Sequence, residues 1–410
     1  MNPDRAMLIV GAGHAGGRAA QALREAGWPG PIVMIGAEAH RPYERPALSK
    51  SLLTGERDAG SCALRPDAAW TQDRIEHVVA RVAALDLGAR AAVLEDGRRF
   101  AYDRLLLAPG GRLRRLGIPG ADAEGVFGLR TLDDAAAIAA RLRPGAHIAI
   151  VGGGFIGLEV AASARMRGCR VSVLESARGL LGRAVPAPVG AQMIALHRTR
   201  GVEMHLGATL RAIESRADGR LGLRLDGADE LVADTVIVGI GIDPDTELAR
   251  KAGLAVRRGV IVDARLETSV PGIFAAGDAA EFPSRASGLP MRQETWHNAE
   301  TQARCAALNM LGAARPYDAT PWFWSDQYDR QLQVAGEPAL GTASVVRKIG
   351  DEAEIHFHLD DRGVVVGMSG FGAAGGAAKE LKLARMLVER AARPEPARLA
   401  DLGVRLKSLL

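Results

Sequence analysis

Two glycine-rich segments of the same design constrain this sequence more than any other feature. Val10 to Ala20 reads VGAGHAGGRAA, and Val151 to Ala161 reads VGGGFIGLEVA. Each follows an apolar stretch that predicts a strand, has glycines at G-x-G-x-x-G spacing, and continues into small residues typical of a helix start. This arrangement is the pyrophosphate cradle of a dinucleotide-binding unit. The sequence therefore predicts two dinucleotide sites in one chain.

The three glycines of a cradle have separate roles. The first permits the tight turn, the second lets the phosphates approach the backbone, and the third lets the helix pack on its strand. They are Gly11, Gly13 and Gly16 in the first cradle, and Gly152, Gly154 and Gly157 in the second.

An acidic residue is expected at the end of the strand that follows each cradle, where it binds ribose hydroxyls. Glu38 and Glu175 occupy these positions. Because a carboxylate accepts from a 2′-hydroxyl and repels a 2′-phosphate, Glu175 predicts NADH rather than NADPH at the second site. Arg178 and Arg183 follow it, and either could attract a phosphate, stack on the adenine or clamp the pyrophosphate.

The strand, helix, strand pattern of the first cradle recurs at the second, and this duplication sets the domain organisation. We predict an α/β fold with two Rossmann-like dinucleotide-binding domains, the second inserted into the first. Residues 1–109 and 235–317 form the first domain, which the strand in ADTVIVGIG rejoins, and residues 110–234 form the second. Strands and a final basic helix predict a C-terminal α+β domain at residues 318–410.

Composition excludes several classes of protein. The chain of 410 residues is 48% hydrophobic and 24% charged, and no apolar run approaches the roughly 18 residues of a membrane span. A net charge of +4 is too small to argue for nucleic acid. Cys62, Cys169 and Cys305 stand apart, so neither a disulfide framework nor a metal site is predicted. The early first strand leaves no room for a signal segment, so we expect a cytoplasmic protein.

Three further residues have chemistry suited to a flavin and a nicotinamide. Lys50 ends RPYERPALSK and would stabilise an anionic reduced flavin, with a surface lysine as the alternative. Asp278 in GIFAAGDAAE could accept hydrogen bonds from a ribityl chain or cap a turn. Glu159 near the second helix start could face the nicotinamide or cap the helix. If Lys50 and Glu159 meet, each keeps the other charged.

The motifs follow one another along nearly the whole chain. Between and after the two cradles stand RPYERPALSK, GIFAAGDAAE, RQETWHNAETQAR and PWFWSDQYD. In this order they resemble the pyridine nucleotide-disulfide oxidoreductase superfamily, which has a glutathione-reductase-like fold. More narrowly, the chain resembles the FAD-dependent NADH:ferredoxin reductases that serve bacterial aromatic-ring dioxygenase and cytochrome P450 systems. PALSK and FWSDQYD are far more specific signals than either cradle.

The resemblance implies FAD at the first site and NADH at the second. Besides the cradle glycines and Glu38, the residues implied at the FAD site are Ala15, Lys50, Val82 through its backbone, Arg130, Gly277, Asp278, Glu294, Thr295 and Trp296. Those implied at the NADH site are Ile156, Glu159, Glu175 and Arg183. The family's FAD ribose acid commonly falls at the position of Ala37, so Glu38 either compensates or points away.

The partner implied by the resemblance is a [2Fe-2S] ferredoxin, which receives electrons one at a time. In such reductases aromatic rings border the flavin edge that faces the carrier, so Trp296 and Trp324 join Lys50 and Glu159 as candidate catalytic residues, with core packing as the alternative for both rings. Arg304 either belongs to a basic docking surface or is simply solvated. We expect neither nucleic acid nor a membrane as a partner, and the choice between monomer and dimer stays open.

Three other kinds of activity can be compared with the sequence. A disulfide reductase needs a redox-active cysteine beside the flavin, and residues 41–50 contain none. A rubredoxin reductase or a monodehydroascorbate reductase shares the layout and differs in its partner surface. The alternative of a different class is a flavoprotein resembling apoptosis-inducing factor, in which NADH binding switches shape or partners.

Overall fold

The computed structural model describes residues 1, 4–182, 184–227, 229–350, 353–373, 375 and 378–410. The α-helices of these ranges are α1 His14–Glu25, α2 Ser51–Thr54, α3 Asp67–Gln72, α4 Leu132–Arg141, α5 Phe155–Met166, α6 Ala187–Thr199, α7 Glu247–Lys251, α8 Trp296–Met310, α9 Ala378–Glu389 and α10 Pro396–Ala400.

The strands are short, as expected for α/β and α+β architecture. They are β1 Ala6–Val10, β2 Ile32–Gly36, β3 Ile75–Val79, β4 Val82–Asp86, β5 Ala91–Leu94, β6 Arg99–Leu107, β7 Gly111–Leu113, β8 Val126–Gly128, β9 His147–Val151, β10 Arg170–Glu175, β11 Val202–Leu206, β12 Leu210–Ser215, β13 Leu221–Leu225, β14 Leu231–Ala233, β15 Thr235–Val238, β16 Ile242–Pro244, β17 Val260–Ile261, β18 Ile273–Ala275, β19 Ala280–Pro283, β20 Pro290–Met291, β21 Trp322–Gln327, β22 Arg330–Gly336, β23 Ala343–Ile349, β24 Ala353–Leu359 and β25 Val365–Ala373.

The chain divides into two compact units. The first comprises Met1–Arg45, Gly60–Arg112 and Asp243–Pro321. The second comprises Pro46–Ala59, Leu113–Ile242 and Trp322–Leu410. None of the helices in the described ranges combines the length and the apolar character needed to cross a bilayer.

The first unit is built on a mixed sheet of order β3-β2-β1-β6-β5-β4, with β18 paired to β6. The central strands run parallel, and β4 and β5 add an antiparallel edge. β1 and β2 are buried along their whole length, which is typical of a parallel sheet covered on both faces. Because β1 lies between β2 and β6, the strand order reverses beside it, and its carboxyl end opens on the crevice where doubly wound sheets bind ligands.

The second unit repeats this plan with a parallel sheet of order β11-β10-β9-β15-β8. β9 lies between β10 and β15, as β1 lies between β2 and β6, so the predicted pair of Rossmann-like folds is confirmed. β15, which the sequence assigns to the first domain, pairs with β9 and β8 in this unit. An apolar parallel strand fits either sheet, so its residues alone do not say which one it joins. The division into three domains stays a prediction.

The C-terminal part of the second unit is an antiparallel sheet of order β21-β22-β25-β24-β23. Apolar residues of β24, β25, α9 and α10 form one continuous core, in which Ile355, Phe357, Met368, Leu387 and Leu399 are buried. This combination is the α+β arrangement that the sequence predicts.

The buried Arg347 of β23 fastens the end of the chain to this sheet. It is 3% exposed. Its guanidinium donates to the backbone carbonyls of Leu399 at 3.1 Å, Asp401 at 2.8 Å and Val404 at 3.0 Å, and its Nε lies 3.3 Å from a carboxylate oxygen of Glu380 on α9. A planar cation with five donors can join these acceptors at once, whereas a lysine cannot.

Replacing this arginine should destabilise the protein strongly. In Arg347→Met, three carbonyls lose their donor and Glu380 loses its cation, so we expect the free energy of unfolding to fall by about 3 kcal/mol. Urea unfolding followed by circular dichroism measures the loss. The matched control is Arg362→Met, which removes an exposed arginine that pairs with Asp360 and should cost less than about 1 kcal/mol. Equal losses in the two variants would contradict the assignment.

Candidate functional site

The first cradle has the geometry of a pyrophosphate site. Gly11 has a φ of +111°, and a Cβ on Gly16 would lie 1.8 Å from the Gly11 carbonyl oxygen, so the fold itself requires both glycines. A Cβ on Gly13 would meet only the tip of the Arg45 side chain, at 3.6 Å. The protein leaves the space beside Gly13 open at the start of α1, where helix amides favour an anion. These residues therefore fit a dinucleotide pyrophosphate.

The second cradle repeats this geometry. Gly152 has a φ of +109°, and a Cβ on Gly157 would lie 2.1 Å from the Gly152 carbonyl oxygen. A Cβ on Gly154 would meet nothing closer than 3.8 Å. Ile156, the second residue of α5, is a large apolar side chain that is exposed beside this open space. The second cradle therefore fits a pyrophosphate as well.

Glu175 lies at the edge of the second cradle. It ends β10, and its carboxylate accepts the N–H groups of Gly153 and Ala177, both at 2.8 Å. These two contacts hold the carboxylate at the position from which it would bind the hydroxyl groups of the ribose next to the pyrophosphate. Arg178 is exposed nearby, and Arg183 lies outside the described residues.

The Glu38 carboxylate accepts hydrogen bonds from two side chains that follow it closely in sequence. The Tyr43 hydroxyl donates to one oxygen at 2.5 Å, and Nη2 of Arg45 donates to the other at 2.6 Å. The spacing that predicts a ribose acid thus also places Glu38 within reach of the RPYERP segment. Its role at the FAD ribose stays a prediction.

The start of α8 lies against the start of α1 in the first unit. The Trp296 ring lies 5.2 Å from the His14 ring, and each is the first residue of its helix. The Thr295 hydroxyl accepts the N–H of Asn298 at 3.1 Å and so caps α8. Trp296 and Thr295 are therefore held close to the first cradle.

The end of β18 converges on the same cradle. A Cβ on Gly277 would lie 3.2 Å from the Ala15 side chain, so these two residues are in close contact. Arg292 donates to the Asp278 carbonyl at 3.2 Å and pairs with the Glu294 carboxylate at 2.5 Å. The first unit thus brings together Ala15, Gly277, Asp278 and Glu294 at the carboxyl ends of its strands.

Other predicted residues lie elsewhere. Val82 begins β4, opposite Leu94 of β5. Lys50 and Arg130 belong to the second unit, where the Arg130 N–H donates to Asp134 ahead of α4. Arg304 is exposed and lies 3.9 Å from the Glu25 carboxylate.

The second unit brings Lys50 and Glu159 together as a partly buried ion pair. Glu159 is 4% exposed, and Nζ of Lys50 lies 2.9 Å from its Oε2. The Ser49 hydroxyl donates to the same oxygen at 2.5 Å, and the Ser325 hydroxyl donates to Oε1 at 2.6 Å. A buried carboxylate needs such donors, and here an ammonium and two hydroxyls supply them.

The specific strings PALSK and FWSDQYD meet at this carboxylate. Sequence reasoning selected Lys50 and Trp324 from them and missed Ser49 and Ser325. The signal that could have found both serines is their position, each directly beside a selected residue in one of these two motifs.

β21 presents different residues on its two faces, as the alternation of a strand requires. On one face Phe323 packs edge-on against Phe155 of α5, with ring centroids 4.9 Å apart, and Ser325 contacts Glu159. The opposite face has Trp322 and Trp324, whose rings stack at 5.0 Å. Trp324 is therefore separated from Glu159 by the strand itself.

None of the three cysteines takes part in a disulfide. Cys62 and Cys169 are buried, and Cys305 is half-buried. Burial raises the pKa of the Cys169 thiol and raises the pKa of Cys305 to about 11, so both are protonated at neutral pH. Within the described ranges, no three histidine, cysteine or acidic side chains gather to hold a metal.

Two protein-family profiles cover most of the chain. Residues 5–303 match the family described as pyridine nucleotide-disulphide oxidoreductase. Residues 322–410 match the family described as reductase C-terminal.

Characterised relatives cover the full length. The chain is 43% identical to the ferredoxin–NAD(+) reductase component of the anthranilate 1,2-dioxygenase system of Burkholderia cepacia, over 98% of each protein. The ferredoxin reductase for the CYP199A2 system from Rhodopseudomonas palustris matches with a TM-score of 0.93 and 37% identity, over 99% of each chain. The covalent putidaredoxin reductase–putidaredoxin complex matches with a TM-score of 0.94 and 34% identity, over 100% of this chain and 98% of that one.

The cradle geometry predicts opposite effects for two alanine substitutions. Gly154 has φ −77° and ψ 178°, which alanine adopts freely, so Gly154→Ala should unfold at the wild-type temperature. Its methyl group fills the open space, so NADH affinity should fall at least about tenfold. Gly157→Ala should instead lower the unfolding temperature, because the new methyl group meets the Gly152 carbonyl. Thermal unfolding without nucleotide and NADH titration by calorimetry measure the two effects. Unchanged NADH affinity in Gly154→Ala would contradict the assignment of this cradle.

Proposed function

The chain belongs to the pyridine nucleotide-disulphide oxidoreductase family, and from this premise we propose that it is an FAD-dependent NADH:ferredoxin reductase of an oxygenase system. It passes electrons from NADH to a [2Fe-2S] ferredoxin that feeds a Rieske dioxygenase or a cytochrome P450. Support comes from full-length similarity to reductase components of dioxygenase and CYP199A2 systems.

The observation that carries the proposal is the state of the cysteines. Disulfide-reducing relatives pass electrons from flavin to a nearby thiol pair or reactive thiol. Here the thiols of Cys169 and Cys305 are protonated, and Cys62 is buried and not part of a disulfide. Electrons that reach the flavin therefore have to leave the protein for an external acceptor, and an iron–sulfur carrier is such an acceptor.

The first cradle suits the pyrophosphate of FAD. FAD when bound would supply the chemistry that accepts a hydride from NADH and releases electrons singly. Gly13 leaves room for the phosphates, and Gly277 and Ala15 pack beside the cradle. We also assign Asp278 and Trp296 to the FAD site, because they lie at strand and helix ends beside the first cradle.

The second cradle suits NADH, and we assign Glu159 and Lys50 to the reactive end of that site. Glu159 stands in α5, the helix that starts at the cradle, and Lys50 neutralises it. Such a pair keeps two charges fixed in a low-dielectric place, where they orient a polar ring without reorganisation. Arg183 stays a predicted NADH contact.

Arg304 and Trp324 are candidates for the surface that docks the ferredoxin. Arg304 is exposed and only loosely paired with Glu25, so it can meet an acidic carrier. Trp324 is a candidate contact for the same carrier, since it lies on the face of β21 opposite Glu159. Cytoplasmic location stays a prediction, and the choice between monomer and dimer stays open.

Electron transfer to ferredoxin can be tested directly. We expect purified protein to be yellow with FAD and to reduce cytochrome c rapidly with NADH only when a [2Fe-2S] ferredoxin is added. The control is the same ferredoxin with its cluster removed. A rate that is independent of the intact ferredoxin, or steady reduction of a low-molecular-weight disulfide, would contradict the proposal.

Glu175 should set the preference for NADH. Glu175→Gln keeps an acceptor for Gly153 and removes the charge that repels a 2′-phosphate, so the ratio of kcat/KM for NADH to that for NADPH should fall at least about tenfold. Ser176→Ala is the control, because its hydroxyl donates to the same carboxylate at 3.2 Å and its loss leaves the charge of Glu175 in place. An unchanged ratio in Glu175→Gln would move the discrimination to other groups.

A further inference from the structure

A continuous chain of hydrogen bonds leads from a buried histidine to Glu159. Nε2 of His197 on α6 lies 2.7 Å from Oε1 of Gln327. The Gln327 amide nitrogen donates to the Ser325 hydroxyl at 3.1 Å, and that hydroxyl donates to Glu159 at 2.6 Å. All four side chains are buried. We call Ser325, Gln327 and His197 the β21 relay.

The polarity of the relay follows from its end point. An ionised Glu159 only accepts, so Ser325 must turn its O–H toward it. The serine lone pairs then face Gln327, which must present its amide nitrogen. The amide oxygen is left for His197, whose Nε2 must hold a proton. Every hydrogen bond thus has its donor end directed toward the carboxylate, and such aligned bonds strengthen one another.

Burial keeps the histidine in the form that this polarity requires. Desolvation lowers the pKa of His197, so the ring is neutral near pH 7 and has a single N–H. Its Nδ1 lies 3.5 Å from the Tyr328 hydroxyl, a distance that leaves the hydrogen bond to Gln327 as the dominant one.

The other carboxylate oxygen is held from the opposite side. Ser49 and Lys50 both contact Oε2 of Glu159. Ser163, one turn further along α5, donates to the Ser49 carbonyl at 2.7 Å and so fixes the segment that precedes Lys50. The carboxylate is therefore clamped between two sets of donors, with one oxygen for each set.

We propose that Ser325 and Gln327 are positioning residues for the reaction with NADH, because the β21 relay holds Oε1 of Glu159 so that Oε2 stays on Lys50. The inference rests on the proposed role of Glu159 at the NADH site. It gives the C-terminal sheet a part in the reaction with NADH. Without the Ser325 hydroxyl, Oε1 loses its donor, the carboxylate is free to rotate, and its pairing with Lys50 loosens.

Stopped-flow reduction of the FAD-loaded protein by NADH tests the proposal. Ser325→Ala should lower the limiting rate of flavin reduction about tenfold while the NADH dissociation constant changes less than about threefold. Ser325→Thr, which keeps the hydroxyl, should restore most of the rate. Gln327→Glu should slow reduction as well, because its carboxylate would compete with Glu159 for the serine proton. Gln333→Met is the matched control, since this glutamine of the same sheet bonds Trp322 and Gln331 and not the relay.

A second measurement reads the relay independently of turnover. Nitrogen-15 NMR of histidine-labelled holoprotein, with His197 assigned by substitution, should show the proton of His197 on Nε2 in the wild type. Gln327→Met should yield a mixture of tautomers. The proposal is overturned if Ser325→Ala reduces flavin at the wild-type rate, or if wild-type His197 holds its proton on Nδ1. If NADH fails to reduce the wild-type flavin, the proposed function falls, while the tautomer still decides whether the relay exists.

Discussion

A charge buried in an apolar unit is the constraint on which the arrangement of the second unit depends. Glu159 is 4% exposed, and an isolated carboxylate at that depth would cost several kcal/mol. The segment before α2 and the strand β21 each supply contacts to this residue of α5, and these contacts offset the cost. The positions of Ser49, Lys50 and Ser325 are therefore linked, although more than 100 residues separate each of them from Glu159 in sequence.

The parts of the site that depend on local rules could be predicted from the sequence. Gly11 and Gly152 have φ above +100°, and a Cβ on Gly16 or Gly157 would lie 1.8 or 2.1 Å from a carbonyl oxygen. Only glycine is tolerated at such positions, so these four residues identify both cradles in the sequence. The same local logic gives the central strands, whose apolar runs match a sheet covered on both faces. Apolar content does not encode strand order, however, and β15 joins the second sheet against expectation.

Long-range contacts account for what the sequence could not reveal. Nothing in the spacing of FWSDQYD says that its serine meets a carboxylate on α5, or that its glutamine meets His197. Glu38 shows that a local contact can also escape sequence analysis. Its spacing is correct for an acid that binds ribose, yet its carboxylate pairs with Arg45, only seven residues away. Side-chain partnership is set by packing, and packing is settled only when distant segments fold together.

The two faces of β21 have different contacts, and this difference limits how the strand can change in evolution. Trp322 and Trp324 lie on the face of β21 that does not contact Glu159, so their side chains can be exchanged while the Ser325 contact to that carboxylate is preserved. An insertion or deletion of one residue would exchange the faces and disrupt both at once. Divergence among such reductases should therefore proceed in this strand by exchange of side chains, with its length held constant.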